Sequence, residues 1–131
     1  MKCNELQIGD WVIVKPSLLP VCVVAVHQKK IGYHIYQHRL EWVRQSLLEP
    51  IPLTDEFLKK HFELVEERKG AYYQLCSLWR IWSNSNYGYI AATLTIDRFG
   101  GGGYEPCIPC RYVHELQNLL RQLKIDKEIT L

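Results

Sequence analysis

Apolar positions along this chain follow the two-residue period of strands to about residue 53 and a helical period over 55–61. Strands return over 63–96, and a second helical period runs over 112–123. Trp11-Val12-Ile13-Val14, β-branched and aromatic after a turn at Ile8-Gly9-Asp10, reads as a first strand. Further short strands are expected over 21–26, 33–37, 40–43 and 48–53, with a polar turn at Lys29-Lys30-Ile31-Gly32. So many short strands in so little chain predict a small closed or half-closed antiparallel barrel over residues 1–49, SH3-like in kind.

Pro50-Ile51-Pro52 lacks two ladder donors and marks an edge or linker. Thr54 is a good N-cap, Asp55 and Glu56 sit where the helix dipole favours negative charge, and Phe57, Leu58 and Phe62 supply a short apolar face. A meander is then expected over 63–67, 71–82 and 87–96, followed by a mobile loop at Phe99-Gly100-Gly101-Gly102-Gly103-Tyr104. The last helix carries an apolar stripe of Val113, Leu116, Leu119, Leu120 and Leu123, which is expected to cover the meander. The tail 124–131 is expected to be exposed or weakly docked. The fold class is therefore α+β: a barrel over 1–49, then an α+β subdomain over 50–131.

Composition narrows the picture only modestly. With 131 residues, 47% hydrophobic and 23% charged, the chain has the balance of an ordinary folded domain, and a net charge of +2 does not by itself indicate a polyanion partner. Its longest apolar run, 18–26, is far too short to cross a bilayer, and no secretory h-region follows the start, so membrane insertion is not expected and the cytoplasm is the expected compartment. Five scattered cysteines fit reduced thiols better than a disulfide framework.

Three constellations are candidates for chemistry. On the last helix His114, Gln117, Asn118 and Arg121 gather opposite the apolar stripe, as a solvated face or as a surface for a partner, the barrel or the glycine loop. In the barrel Lys29, Lys30, Tyr33, Tyr36, Arg39, Trp42 and Arg44, with His27, His34 and His38 among them, combine cations with aromatic rings. Small barrels use those two ingredients to bind single strands, although some of these aromatics must fill the interior. Third, Cys107 and Cys110 have knuckle spacing and His114 follows four residues on, giving three of the four ligands of a zinc site, with no second Cys-x-x-Cys to complete it. No nucleophile, base and orienting residue assemble into a catalytic set and no cofactor motif is present, so the expectation is a non-enzyme.

Three motifs in order, Leu6-Gln7-Ile8-Gly9-Asp10-Trp11-Val12, Pro50-Ile51-Pro52-Leu53-Thr54 and Tyr112-Val113-His114-Glu115-Leu116-Gln117-Asn118-Leu119, resemble a family of small phage and prophage proteins of Bacteroides-type bacteria. Asp10 and Glu115 stand where that family more often has amides, and Cys107-x-x-Cys110 is not part of its pattern. The resemblance brings no activity. It implies a phage or mobile-element accessory protein in a bacterial cytoplasm, and it points to Trp11, His114, Gln117 and Asn118. The expectation is a protein-interaction module or modulator of a host factor, with nucleic-acid binding through the barrel and a zinc-stabilised module as the alternatives.

Overall fold

A computed structural model describes residues 1–35, 39–96 and 102–131. The chain is mostly strand with two α-helices, in keeping with the α+β expectation. It divides into two compact units. One comprises 1–52, 112–124 and 128–131; the other comprises 53–111 and 125–127.

The first unit contains two open three-stranded sheets. β1 (Trp11–Val14) lies between β2 (Leu19–Cys22) and β6 (Leu48–Pro50), all antiparallel. β4 (Lys30–Ile35) lies between β3 (Ala25–His27) and β5 (Arg39–Arg44). Of the closed or half-closed barrel expected, closure does not occur: both sheets are open. The run expected as one strand over 21–26 breaks between Cys22 and Ala25, where Val23 donates back to Asp10 (2.8 Å) while Val24 donates forward to Gly32 (2.9 Å). One bent segment thus serves two sheets. Pro20 and Pro50, at the outer strands of the first sheet, cannot donate to any further ladder. Val12, Val14, Val21, Val23, Ile31, Val43 and Leu48 fill the core, with Tyr33 packed against it.

Helix α2 (Val113–Gln122) belongs to this unit and lies on β1, which corrects the expectation that it covers the meander and moves the division away from residue 49. Its amide at Val113 donates to the Ile51 carbonyl (2.9 Å), and Pro52 bridges Tyr112. The tail docks at one point: Ile129 is buried and its carbonyl accepts the Trp11 indole N–H at 2.9 Å, while Asp126, Lys127, Glu128, Thr130 and Leu131 are exposed, in keeping with an exposed or weakly docked end.

In the second unit five antiparallel strands run in the order β11-β10-β9-β8-β7. β7 (Glu63–Glu67), β8 (Gly70–Gln74) and β9 (Trp79–Asn84) replace the two strands expected over 63–67 and 71–82. The long run breaks because the Leu75 and Cys76 amides both turn back to the Trp79 carbonyl. β10 (Gly88–Ile96) pairs with β11 (Gly102–Cys110), a strand the sequence pattern concealed. Pro106 and Pro109 argue against a strand interior, but β11 is the sheet's edge, where a missing donor is tolerated. Of the expected glycine loop, Gly102 and Gly103 begin β11, while Phe99, Gly100 and Gly101 lie outside the described residues. The helix of this unit is α1 (Asp55–His61), capped by Thr54 Oγ1, which accepts from the Phe57 amide (3.2 Å). Leu58 is fully buried, and the Asp55 carboxylate accepts the Tyr89 hydroxyl at 2.7 Å, pushing that phenol's pKa up in concert with burial, which is the larger cause.

Candidate nucleic-acid interface

The polar strip of α2 turns inward. Gln117 is buried: its Oε1 accepts the Trp11 amide (3.0 Å) and its Nε2 donates to the Gly9 carbonyl (2.9 Å), so one side chain satisfies two backbone groups at the start of β1. Arg121 donates to Asp10 Oδ1 (2.6 Å), to Asn118 Oδ1 (2.9 Å) and, more distantly, to the Ile8 carbonyl. Asp10 is 0% exposed and its other oxygen accepts the Gln7 amide (2.9 Å), so Arg121 neutralises a carboxylate that would otherwise be buried uncompensated. Gly9 has φ +97°, and a Cβ there would stand 3.2 Å from Arg121 Nη2, so the clasp also requires that glycine. Of the four residues proposed from sequence as a recognition strip, Gln117 and Arg121 are spent on holding the helix to the start of the first strand, and Asn118 accepts from Arg121 beside them.

His114, the fourth, is 5% exposed and stacks on Tyr112 (centroids 5.9 Å apart, rings inclined by 8°). Its Nδ1 is buried with no hydrogen-bond partner among the described residues. Burial is the largest influence on its pKa and lowers it, opposed by Glu115, Asp10 and Glu5, so the ring is held neutral.

The two cysteines proposed as zinc ligands are not brought together. Cys107 and Cys110 both lie on β11, where residues three apart project from opposite faces; Cys107 is exposed and Cys110 buried. His114 belongs to the other unit. Among the described residues no group of three His, Cys, Asp or Glu side chains is placed to hold a metal. The knuckle reading needed a tight turn, and the chain is extended there.

The basic and aromatic residues of the barrel are sorted by strand register. Directly opposed residues share a face, so Ala25, Gly32 and Trp42 form one row across β3, β4 and β5, and His27, Lys30 and Arg44 form the next. On the other side of the Trp42 row lie His34 and Leu40. This is the outer face: the alternate residues Ile31, Tyr33 and Val43 point to the core. Tyr33 is therefore on the inner side, half-buried against the core. Arg39, opposite Ile35, shares that inner-side register and is separated from Trp42, while Tyr36 and His38 lie outside the described residues.

Two features of the outer face are unusual for a sheet surface. Gly32 lies beneath its neighbours: a Cβ there would come within 3.0 Å of Leu40 Cδ1, 3.2 Å of Ala25 Cβ and 3.5 Å of Trp42 Cε3. The glycine thus lets an indole that is 43% exposed lie across the sheet. Beside it, Lys30 and Arg44 face each other in register, a like-charge pair that costs up to ~1 kcal/mol relative to a neutral one. Lys30 Nζ rests 5.3 Å from the centre of the Trp42 ring. A cavity of about 500 Å³ opens at this end of the sheet, lined by His27, Gln28, Lys29, Lys30, Arg44, Gln45 and Ser46, with no carboxylate among them. Among the described residues, no carboxylate pairs with Lys29, Lys30 or Arg44. His27 was grouped with the cations from sequence, whereas Gln28, Gln45 and Ser46 were not; the signal available for them was their place at the β3–β4 turn and the end of β5.

The fold and this face define the chain as an α+β protein with a cationic and aromatic sheet surface in its first unit. No family model, characterised protein or solved structure matches it.

Proposed function

We propose that this chain is a non-enzymatic binding module that takes single-stranded nucleic acid on the outer face of β3, β4 and β5. The observation that carries the reading is the row of His27, Lys30 and Arg44 next to an exposed Trp42 laid over Gly32. Unpaired bases stack on aromatic faces with about 1–3 kcal/mol per base and little sequence preference, and lysine and arginine supply the attraction to phosphate. A duplex hides the base faces, so the platform favours single strands. The bent segment shared by two sheets is what supports an SH3-like reading of the first unit.

The test is anisotropy of a labelled single-stranded oligonucleotide titrated at several salt concentrations. Neutralisation by Lys29, Lys30 and Arg44 gives a slope of log affinity on log salt of about −2, and Lys30→Gln or Arg44→Gln each flattens it by about 0.7. Affinity independent of salt, or unaltered in both variants, contradicts the reading. A protein partner on the same face is the second reading, favoured by Leu40, 42% exposed next to Trp42. That reading is the one a modulator of a host factor requires, within the phage-type accessory role in a bacterial cytoplasm. Capture from bacterial lysate with and without nuclease separates the two: retention that survives nuclease favours the protein.

A further inference from the structure

We infer that the cavity at the β3–β4 turn is a site for a terminal phosphate, so that the module recognises the phosphorylated end of a single strand rather than its interior. The inference rests on the nucleic-acid reading of the same face and adds to it a ligand class and a position.

Three observations lead there. The cavity is an open hollow at one end of the sheet, between the 27–30 turn and residues 44–46, so a strand laid along the face over Trp42 reaches it at the last row of side chains. Its charge is concentrated. Lys29, Lys30 and Arg44 are fixed cations, His27 adds an imidazole, Gln28, Gln45 and Ser46 add neutral donors, and no carboxylate lines the recess to balance them. A diester phosphate within a strand carries one negative charge. A phosphomonoester carries between about 1.5 and 2 at neutral pH, with three strong acceptor oxygens, and matches such a donor set better.

The third observation is the spacing. The row of His27, Lys30 and Arg44 is two residues along each strand from the row of Ala25, Gly32 and Trp42, about 7 Å, which one nucleotide bridges from its base to its own phosphate. A terminal nucleotide therefore sets its base on Trp42 and its phosphate in the recess. Lys30 links the two places. Its ammonium covers the Trp42 ring at 5.3 Å, and it turns toward the phosphate when a base takes that position. Lys30 and Arg44, opposed at a cost to the fold, become cooperative once a dianion lies between them.

The experiment compares oligonucleotides of about eight nucleotides, a length within the range that one small β domain covers, carrying a 5′-phosphate, a 3′-phosphate or hydroxyls at both ends. Binding is read by anisotropy, with thermal melting to confirm that each variant is folded. One of the two phosphorylated ends is expected to bind about tenfold more tightly than the hydroxyl form. Lys29→Gln with Arg44→Gln removes that preference, while Trp42→Ala weakens all three oligonucleotides by similar factors and preserves it. Equal affinity for all three in the wild-type protein overturns the end-phosphate site and leaves the nucleic-acid reading standing. A preference that persists in the double variant overturns it too, because the phosphate is then held elsewhere. Failure of every oligonucleotide to bind at low salt removes the underlying reading and the inference with it.

Discussion

Helix α2 and the outer face of β3–β5 carry similar polar residues, an imidazole, amides and arginine on one, imidazoles, lysines and arginine on the other, yet they use them in opposite ways. On α2, Gln117 and Arg121 find partners inside the chain at 2.6–3.0 Å, and the groups they satisfy are a fully buried carboxylate and two partly buried backbone groups. On the sheet, Lys30 and Arg44 oppose each other with no carboxylate partner among the described residues. What separates structure from recognition here is therefore whether a charge is already compensated. The uncompensated row is where a ligand gains most.

The comparison breaks most visibly on the helix side. Arg121→Ala leaves Asp10 buried without its counter-charge and is expected to lower stability by about 2–4 kcal/mol, somewhat less than for a fully enclosed pair because Arg121 is partly exposed. Gln117→Leu leaves the Trp11 amide and the Gly9 carbonyl unpaired and costs about 2–3 kcal/mol. Urea unfolding measures both, and oligonucleotide affinity of the folded fraction stays at the wild-type value. Trp42→Ala shows the converse. Stability changes by about 1 kcal/mol because the ring, 43% exposed, lies on the outer face and not in the core, and single-strand affinity falls by about one to two orders of magnitude.

His114 adds a pH dependence to the helix side. Burial holds its folded pKa below the ordinary 6.5, so the unfolded chain binds the proton first. The associated stability is complete above about 6.5 and is lost as the pH falls from there through the lower folded value. Melting temperatures at pH 7.5 and 5.5 should differ less in His114→Gln than in the wild type. The smallest effects belong to the edge strand: Cys107→Ser changes stability by less than ~0.5 kcal/mol, and a chelator leaves the melting temperature unchanged.

Much of this was legible in the sequence, and the failures have physical causes. Helix α1 falls where its N-cap and apolar spacing put it, at Asp55–His61, and α2 is within a residue of its predicted ends. Periodicity cannot say which sheet a helix covers, because Leu116 and Leu120 would suit either apolar surface. The deciding contacts come from Gln117 and Arg121, polar residues that a pattern of apolar positions sets on the outside. The first and third motifs behind the phage-protein resemblance, and the Pro50-Ile51-Pro52 part of the second, lie in the first unit: Gly9-Asp10-Trp11 and Ile51-Pro52 both bond to α2 or the residue preceding it. Those motif contacts accordingly describe a clasp. On the outer face, composition supplied the ingredients but not the sorting, since register alone separates Tyr33 and Arg39 from Trp42 and Arg44. Strand β11 was hidden by Pro106 and Pro109, which an edge accommodates and a central strand does not.

The most direct test of the central claim is a backbone amide NMR titration of the whole chain with a single-stranded oligonucleotide at low salt. The account predicts shifts concentrated at His27, Lys29, Lys30, Gly32, Trp42 and Arg44, with the amides of Gln117, Asn118 and Arg121 unmoved. Shifts centred on those helix residues, or none at either place, would contradict it.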